Sequence, residues 1–65
     1  MCLAFPGKII SVNKNFAIID FNGIKKEINI LLTPGIKKND YALVHSGFAI
    51  QKMDKQEAKK FKDFL

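Results

Sequence analysis

The sequence predicts a mainly β fold, a small β-barrel followed by one short C-terminal α-helix. Three observations predict it. Short apolar segments of strand length follow one another at close spacing, with turn residues between them. Asn22-Gly23 separates two of these segments, and Asn-Gly is the strongest short hairpin signal because both residues accept the positive φ of a type I′ turn. The last dozen residues then change to a helical period behind a capping signal.

Taken in order, Pro6-Gly7 ends the terminal segment: proline holds the preceding residue extended, and Gly7 permits a turn. Lys8 to Val12 reads as a short strand and Asn13-Lys14-Asn15 as a polar turn. Phe16 to Phe21 is an apolar run of strand length. After the Asn22-Gly23 turn, Ile24, Ile28 and Ile30 fall on one face, with Lys25, Glu27 and Asn29 on the other. Lys26 breaks the pattern, marking an edge position or a bulge. Thr33-Pro34-Gly35 is a turn, and 37–40 a loop.

Tyr41 to Ile50 is the longest β-like segment. Tyr41, Leu43, His45 and Gly47 share one face, and Ala42, Val44, Ser46 and Phe48 the other, with Gly47 a candidate bulge that resets the phase. Asp54 followed three residues later by Glu57 resembles a capping box. Ala58, Phe61 and Leu65 continue at helical spacing, so residues 54–64 read as one amphipathic helix. A helix of that length is marginal alone, so Phe61 and Leu65 are expected to dock on the barrel or on a partner. Four or five short strands with tight turns match the five-stranded barrel of the oligonucleotide/oligosaccharide-binding (OB) type. The chain reads as a single domain over 1–65, with 1–50 in the barrel and 54–64 in the helix.

A chain of 65 residues buries only roughly 60% of the surface it exposes when unfolded. Its core is thin, leaving little room for a deep, self-contained site, and it is expected to work with a partner. The hydrophobic fraction of 48% argues against disorder. The net charge is +5, and all eleven basic residues are lysines. Arginine, which supplies the bidentate fork for guanine edges and a flat stacking face, is missing from the chain. The lysines are also spread along the sequence, as a solvated surface requires, and no basic tail is formed. Pro6, Gly7 and Lys8 interrupt the start before a signal-peptide apolar run can build, and no stretch approaches the ~20 apolar residues of a membrane helix. A lone thiol fits a reducing cytoplasm. Phe5, Phe16 and Phe21 are assigned to the core, and Asp20 and Asp40 to turns or surface.

Two side chains suit soft-metal or nucleophilic work. Cys2 is the only cysteine. It stands one residue from the terminus, where chains fray unless tied down, so it is poorly placed to fill a core and has no partner for an intramolecular disulfide. A thiolate that binds a soft metal or attacks an electrophile is what remains. Loss of Met1 is expected, because a small second residue permits it, and Cys2 then carries a free α-amine beside its thiol. His45 is the only histidine. The pair is too sparse for a four-ligand structural zinc site. It suits part of an open coordination sphere, or a Cys–His nucleophilic dyad; the residues alone leave both open, beside a structural role for each.

Met1-Cys2-Leu3, two further residues, then Pro6-Gly7-Lys8-Ile9 is similar to the amino-terminal signature of the HypC/HupF family of NiFe-hydrogenase maturation chaperones. A second match is the stretch from Asp40 to Ile50, where Val44-His45 is followed one residue later by Gly47-Phe48-Ala49; it resembles the family's histidine-bearing strand. Asn39 stands where the family commonly has a turn glycine, and Ser46 where it has an apolar residue. The resemblance implies an OB-like barrel, not an enzyme, that binds the iron–sulfur scaffold protein HypD. With that partner it transiently holds iron while cyanide and carbon monoxide are attached. It then engages the precursor of the hydrogenase large subunit to deliver the Fe(CN)2CO unit. Carried over, the family's essential terminal cysteine is Cys2, with His45 as a supporting site residue and Pro6 and Gly7 as the supporting turn of the terminal segment. A cytoplasmic location, no membrane and no nucleic acid are implied. The rival reading is an OB-type nucleic-acid-binding module, which needs exposed aromatics on a lysine-rich groove. A third is a thiol enzyme with Cys2 and His45 in hydrogen-bond reach beside an oxyanion site.

Overall fold

The computed structural model describes residues 4–64, with side chains as far as residue 60. Five strands, β1 (Phe5–Asn13), β2 (Phe16–Phe21), β3 (Ile24–Asn29), β4 (Tyr41–His45) and β5 (Phe48–Met53), precede one helix, α1 (Lys55–Phe64). The strands close into a barrel in the order β1-β2-β3-β5-β4, a five-stranded barrel of the expected OB-like kind. Neighbours are antiparallel except β3 and β5, which meet in parallel at Asn29 and Phe48. Closure comes from β1 against β4, where Phe5, Pro6, Gly7 and Lys8 face Val44, Leu43, Ala42 and Tyr41.

Pleat alternation fills the barrel. Ile9, Ala17, Ile19, Ile28, Ala42, Val44 and Ala49 point inward and are buried, and Ile30 and Ile36 from the β3–β4 connection complete the core. Alanines beside isoleucines fit the narrow lumen of so small a barrel. Phe5 and Phe21 meet with ring centroids 4.9 Å apart in a tilted arrangement, a favourable aromatic geometry.

Asn22 (φ 51°) and Gly23 (φ 87°) are both left-handed, as a type I′ turn requires. The capping box also forms. The Glu57 N–H donates to Asp54 Oδ1 at 2.7 Å, and the Asp54 N–H donates to Glu57 Oε1 at 3.2 Å. Ala58 is buried where α1 packs on β1 and β4. The docking expected of Phe61 and Leu65 lies outside the described side chains. Asp54→Ala should cost about 1 kcal/mol, read as a melting midpoint lower by roughly 4–8 °C for a domain of this size. An unchanged midpoint would show that the cap does not hold the helix.

The turn expected at Pro6-Gly7 is a strand instead: both residues lie inside β1. Pro6 is fully buried. Gly7 is absent from the left-handed positions and is needed for space. A Cβ there would stand 2.6 Å from Cγ1 and 2.8 Å from Cδ1 of Ile19, and 3.0 Å from the Asp20 carbonyl oxygen. Glycine serves conformational freedom and close approach alike, and its position in the sequence does not say which.

The single segment expected from Tyr41 to Ile50 is a hairpin. Ser46 (φ 53°) and Gly47 (φ 81°) form its two-residue turn, with His45 facing Phe48 across it. The bulge falls at Ile50, between the Val44–Ala49 and Leu43–Gln51 pairs. The barrel therefore runs on to Met53, past residue 50. Lys26 carries no bulge, since the β2–β3 register is unbroken. It lies in the half of β3 that, among the described residues, has β2 as its one neighbour, which makes this an edge position. Ile24 is 59% exposed there, beyond the closed core, and Phe16 is 46% exposed where a core residue was expected.

Candidate functional site

His45 ends β4. Val44 points into the core, so His45 points outward, and it is half-exposed. Its strand is held from both sides, by β1 through the Phe5–Val44 pair and by β5 through its own pairing with Phe48. The turn that follows is clamped as well. The Asn29 N–H donates to the Gly47 carbonyl at 2.8 Å, tying the hairpin tip to β3. A serine in the left-handed region costs on the order of 1–2 kcal/mol, and this pairing on both sides holds Ser46 there.

In the same closure Phe5 opposes Val44, one residue from His45. Cys2 lies outside the described residues. It precedes Phe5 by three residues, a tether that extends no more than about 11 Å. Pro6 and Gly7 root this tether in the barrel wall, against Leu43 and Ala42. The fold thus brings Pro6, Gly7 and His45 to adjacent strands at one rim. Among the described residues no three His, Cys, Asp or Glu side chains converge to hold a metal ion. His45 is the one imidazole of the chain.

Sequence reasoning missed the row of side chains beside His45. Cross-strand partners share a face, and Phe16 pairs with Asn29, Asn29 with Phe48, and Phe48 with His45. The row lies on the outer surface, with Phe48 39% and Phe16 46% exposed. A regular pleat would put Phe48 on the face of Val44; the Ser46-Gly47 turn reverses that phase. The signal available was position: each phenylalanine is the first residue after a two-residue turn. A shallow groove of about 240 Å³ adjoins Phe16, lined by Ser11, Asn13, Ala17, Ile18 and Glu27.

Asp40 serves its loop as expected, accepting from the Lys37 N–H at 2.9 Å and pairing with Lys52 at 3.5 Å. Asp20 is the penultimate residue of β2 and not in a turn. It faces Lys8 and Lys25 on the neighbouring strands. Its Oδ1 is buried without a hydrogen-bond partner among the described residues, beside a cavity of about 170 Å³ lined by Pro6, Gly7, Lys8, Asn22 and Tyr41. No helix among the described residues is long and apolar enough to cross a membrane.

Comparison with known proteins agrees with the family resemblance of the two motifs. A family model described as the HupF/HypC family matches residues 1–65. The hydrogenase maturation factor HypC of Azotobacter chroococcum mcd 1 is 39% identical over 61 residues, spanning 92% of this chain and 73% of that protein. HypC of Synechocystis sp. is 39% identical over 64 residues, spanning 89% of this chain and 84% of its own length. The hydrogenase maturation factor HybG of Escherichia coli K12 is 35% identical over 72 aligned positions, spanning all of this chain and 88% of HybG.

Proposed function

The chain belongs to the HupF/HypC family, and from that premise we propose a specific course for its work as a hydrogenase maturation chaperone. It binds a HypD-type scaffold, holds iron with that partner while the Fe(CN)2CO unit is assembled, and passes the unit to the precursor of the NiFe-hydrogenase large subunit. The observation that supports this reading is the β1–β4 pairing, which sets Phe5, three residues after Cys2 in the sequence, against Val44, the neighbour of His45.

The chemistry follows from the donors. Low-spin iron with cyanide and carbonyl ligands suits a soft thiolate, and imidazole is a common nitrogen donor for iron. Metal binding itself promotes loss of the thiol proton. Cys2 supplies the sulfur, and His45 either donates a ring nitrogen or orients a ligand from its strand end. The barrel interior is filled with isoleucine, alanine and valine side chains, so the iron-holding site lies at the surface, where a second protein completes it. A tethered terminal donor can then leave one partner and meet the next.

The test is recovery of the tagged chain from anaerobic cells, with iron analysis and infrared spectroscopy of the eluate. The wild type should bring down the scaffold, iron, and cyanide and carbonyl stretching bands. His45→Ala should lower iron per complex, and its folding should change by no more than about 0.5 kcal/mol, as for other surface substitutions. An eluate without scaffold and without those bands would sink the proposed course. A His45→Ala chain that loses its fold, with iron per folded molecule intact, would make the histidine structural.

A further inference from the structure

We propose that the partner protein of the rim site seats on the outer face that runs from His45 through Phe48 and Asn29 to Phe16, presenting an apolar surface that is not acidic. This deepens the reading above, and rests on it, by naming the surface and its complement.

The first support is continuity. His45, Phe48, Asn29 and Phe16 occupy matched register positions on four consecutive strands, β4, β5, β3 and β2. At roughly 4.8 Å per strand, the path from His45 to Phe16 along the curved barrel wall is about 14 Å, within the footprint of one ordinary interface. A partner that closes over the rim reaches this face without a separate contact.

The second support is composition. Two phenylalanines are held 39% and 46% exposed on a rigid sheet, while the core is closed by smaller side chains and by the Phe5–Phe21 pair. Aromatic side chains with room to be buried by a partner are the usual anchors of protein interfaces. The helix α1 packs on β1 and β4, whereas Phe48 on β5 and Phe16 on β2 are left exposed. OB barrels also bind their ligands on the face of strands 2 and 3, beside the β1–β2 and β4–β5 loops, and Phe16 and Phe48 follow those two loops.

The third support is charge, and it selects the class of partner. Eleven lysines give the chain its net charge, yet the groove beside Phe16 is lined by Ser11, Asn13, Ile18 and Glu27 with no lysine. A nucleic-acid strand stacked on these aromatics would lay its phosphates against a carboxylate and miss the cations it needs. An apolar protein surface with neutral or basic groups opposite Glu27 fits better.

The experiment titrates the full chain into the purified HypD-type scaffold from the same genome and follows binding by calorimetry. Phe48→Ser and Phe16→Ser should each weaken binding about tenfold or more, as loss of an aromatic anchor does. Leu32→Ser removes a side chain that is 61% exposed in the β3–β4 connection, off the sheet, and should stay within about twofold of the wild type. In the wild-type complex, amide exchange should slow at residues 29 and 48, a readout that does not depend on the variants folding. Phenylalanine variants that bind like the wild type, with no slowing at these amides, would overturn the surface while leaving the functional reading in place. A wild type that does not bind the scaffold would remove both. Salt-sensitive binding of a single-stranded oligonucleotide, abolished by the same two substitutions, would reassign the face to nucleic acid.

Discussion

Replacing Cys2 with serine is expected to abolish iron loading and hydrogenase maturation while leaving the fold intact. Serine keeps the size of the side chain and the amino terminus but removes the soft donor. A residue next to the chain end contributes little to packing, so folding should change by no more than about 0.5 kcal/mol, as for an ordinary surface substitution. Urea midpoints of the two proteins should therefore coincide, while the serine variant purifies without iron and without cyanide or carbonyl bands. Mass spectrometry of the wild type should show Met1 removed, since a retained methionine would crowd the donor and acylate its amine. A serine variant that matures hydrogenase normally would show that the sulfur is not the ligand.

Gly7→Val should fail to fold. Even the single methyl group of alanine would have to occupy space 2.6 Å from one Ile19 side-chain carbon and 2.8 Å from another. Neither side can yield cheaply. Ile19 is 1% exposed in the core, and β1 is paired on one side with β4 at Gly7 and on the other with β2 at Lys8. Overpacking of this kind costs about 1–3 kcal/mol for small additions, and valine adds two more carbons. A domain of this length has on the order of 3–10 kcal/mol in total, so valine exceeds what a marginal barrel holds in reserve. Gly7→Ala should remain measurable, with a lowered melting midpoint. Combined with Ile19→Ala, which empties the contested space, the loss should be smaller than the sum of the two single losses. Full additivity would show that contact with Ile19 is not why glycine stands there.

The two glycine sites show how much of the fold was legible in the chain. At Asn22-Gly23 the sequence-based expectation and the structure agree, because the requirement is local: two adjacent residues must reach positive φ, and both types do so readily. The Asp54–Glu57 cap was legible for the same reason, its two hydrogen bonds spanning three residues. Gly7 was misread as a turn because its constraint comes from Ile19, twelve positions away and across a strand. Ser46-Gly47 offered a weaker turn signal than Asn-Gly, so the β4–β5 hairpin read as one strand, and Phe48 was grouped on the face of Val44.

Of the candidate site, the chemistry was legible and the assembly was not. Cys2 and His45 are the only residues of their types, and the motifs around them match the family to which the chain belongs. Nothing in the composition or periodicity brings Phe5 against Val44 next to His45, or lines up Phe48, Asn29 and Phe16 beside it. Those neighbours are set by the closure of β1 on β4 and by the parallel meeting of β3 with β5. The sequence by itself determined the turns, the cap, the alternating core positions and the donor atoms, since each rests on interactions within a few residues. The tertiary structure alone decided which strand ends meet and which aromatics face outward, because barrel register is chosen by packing between segments distant in the chain.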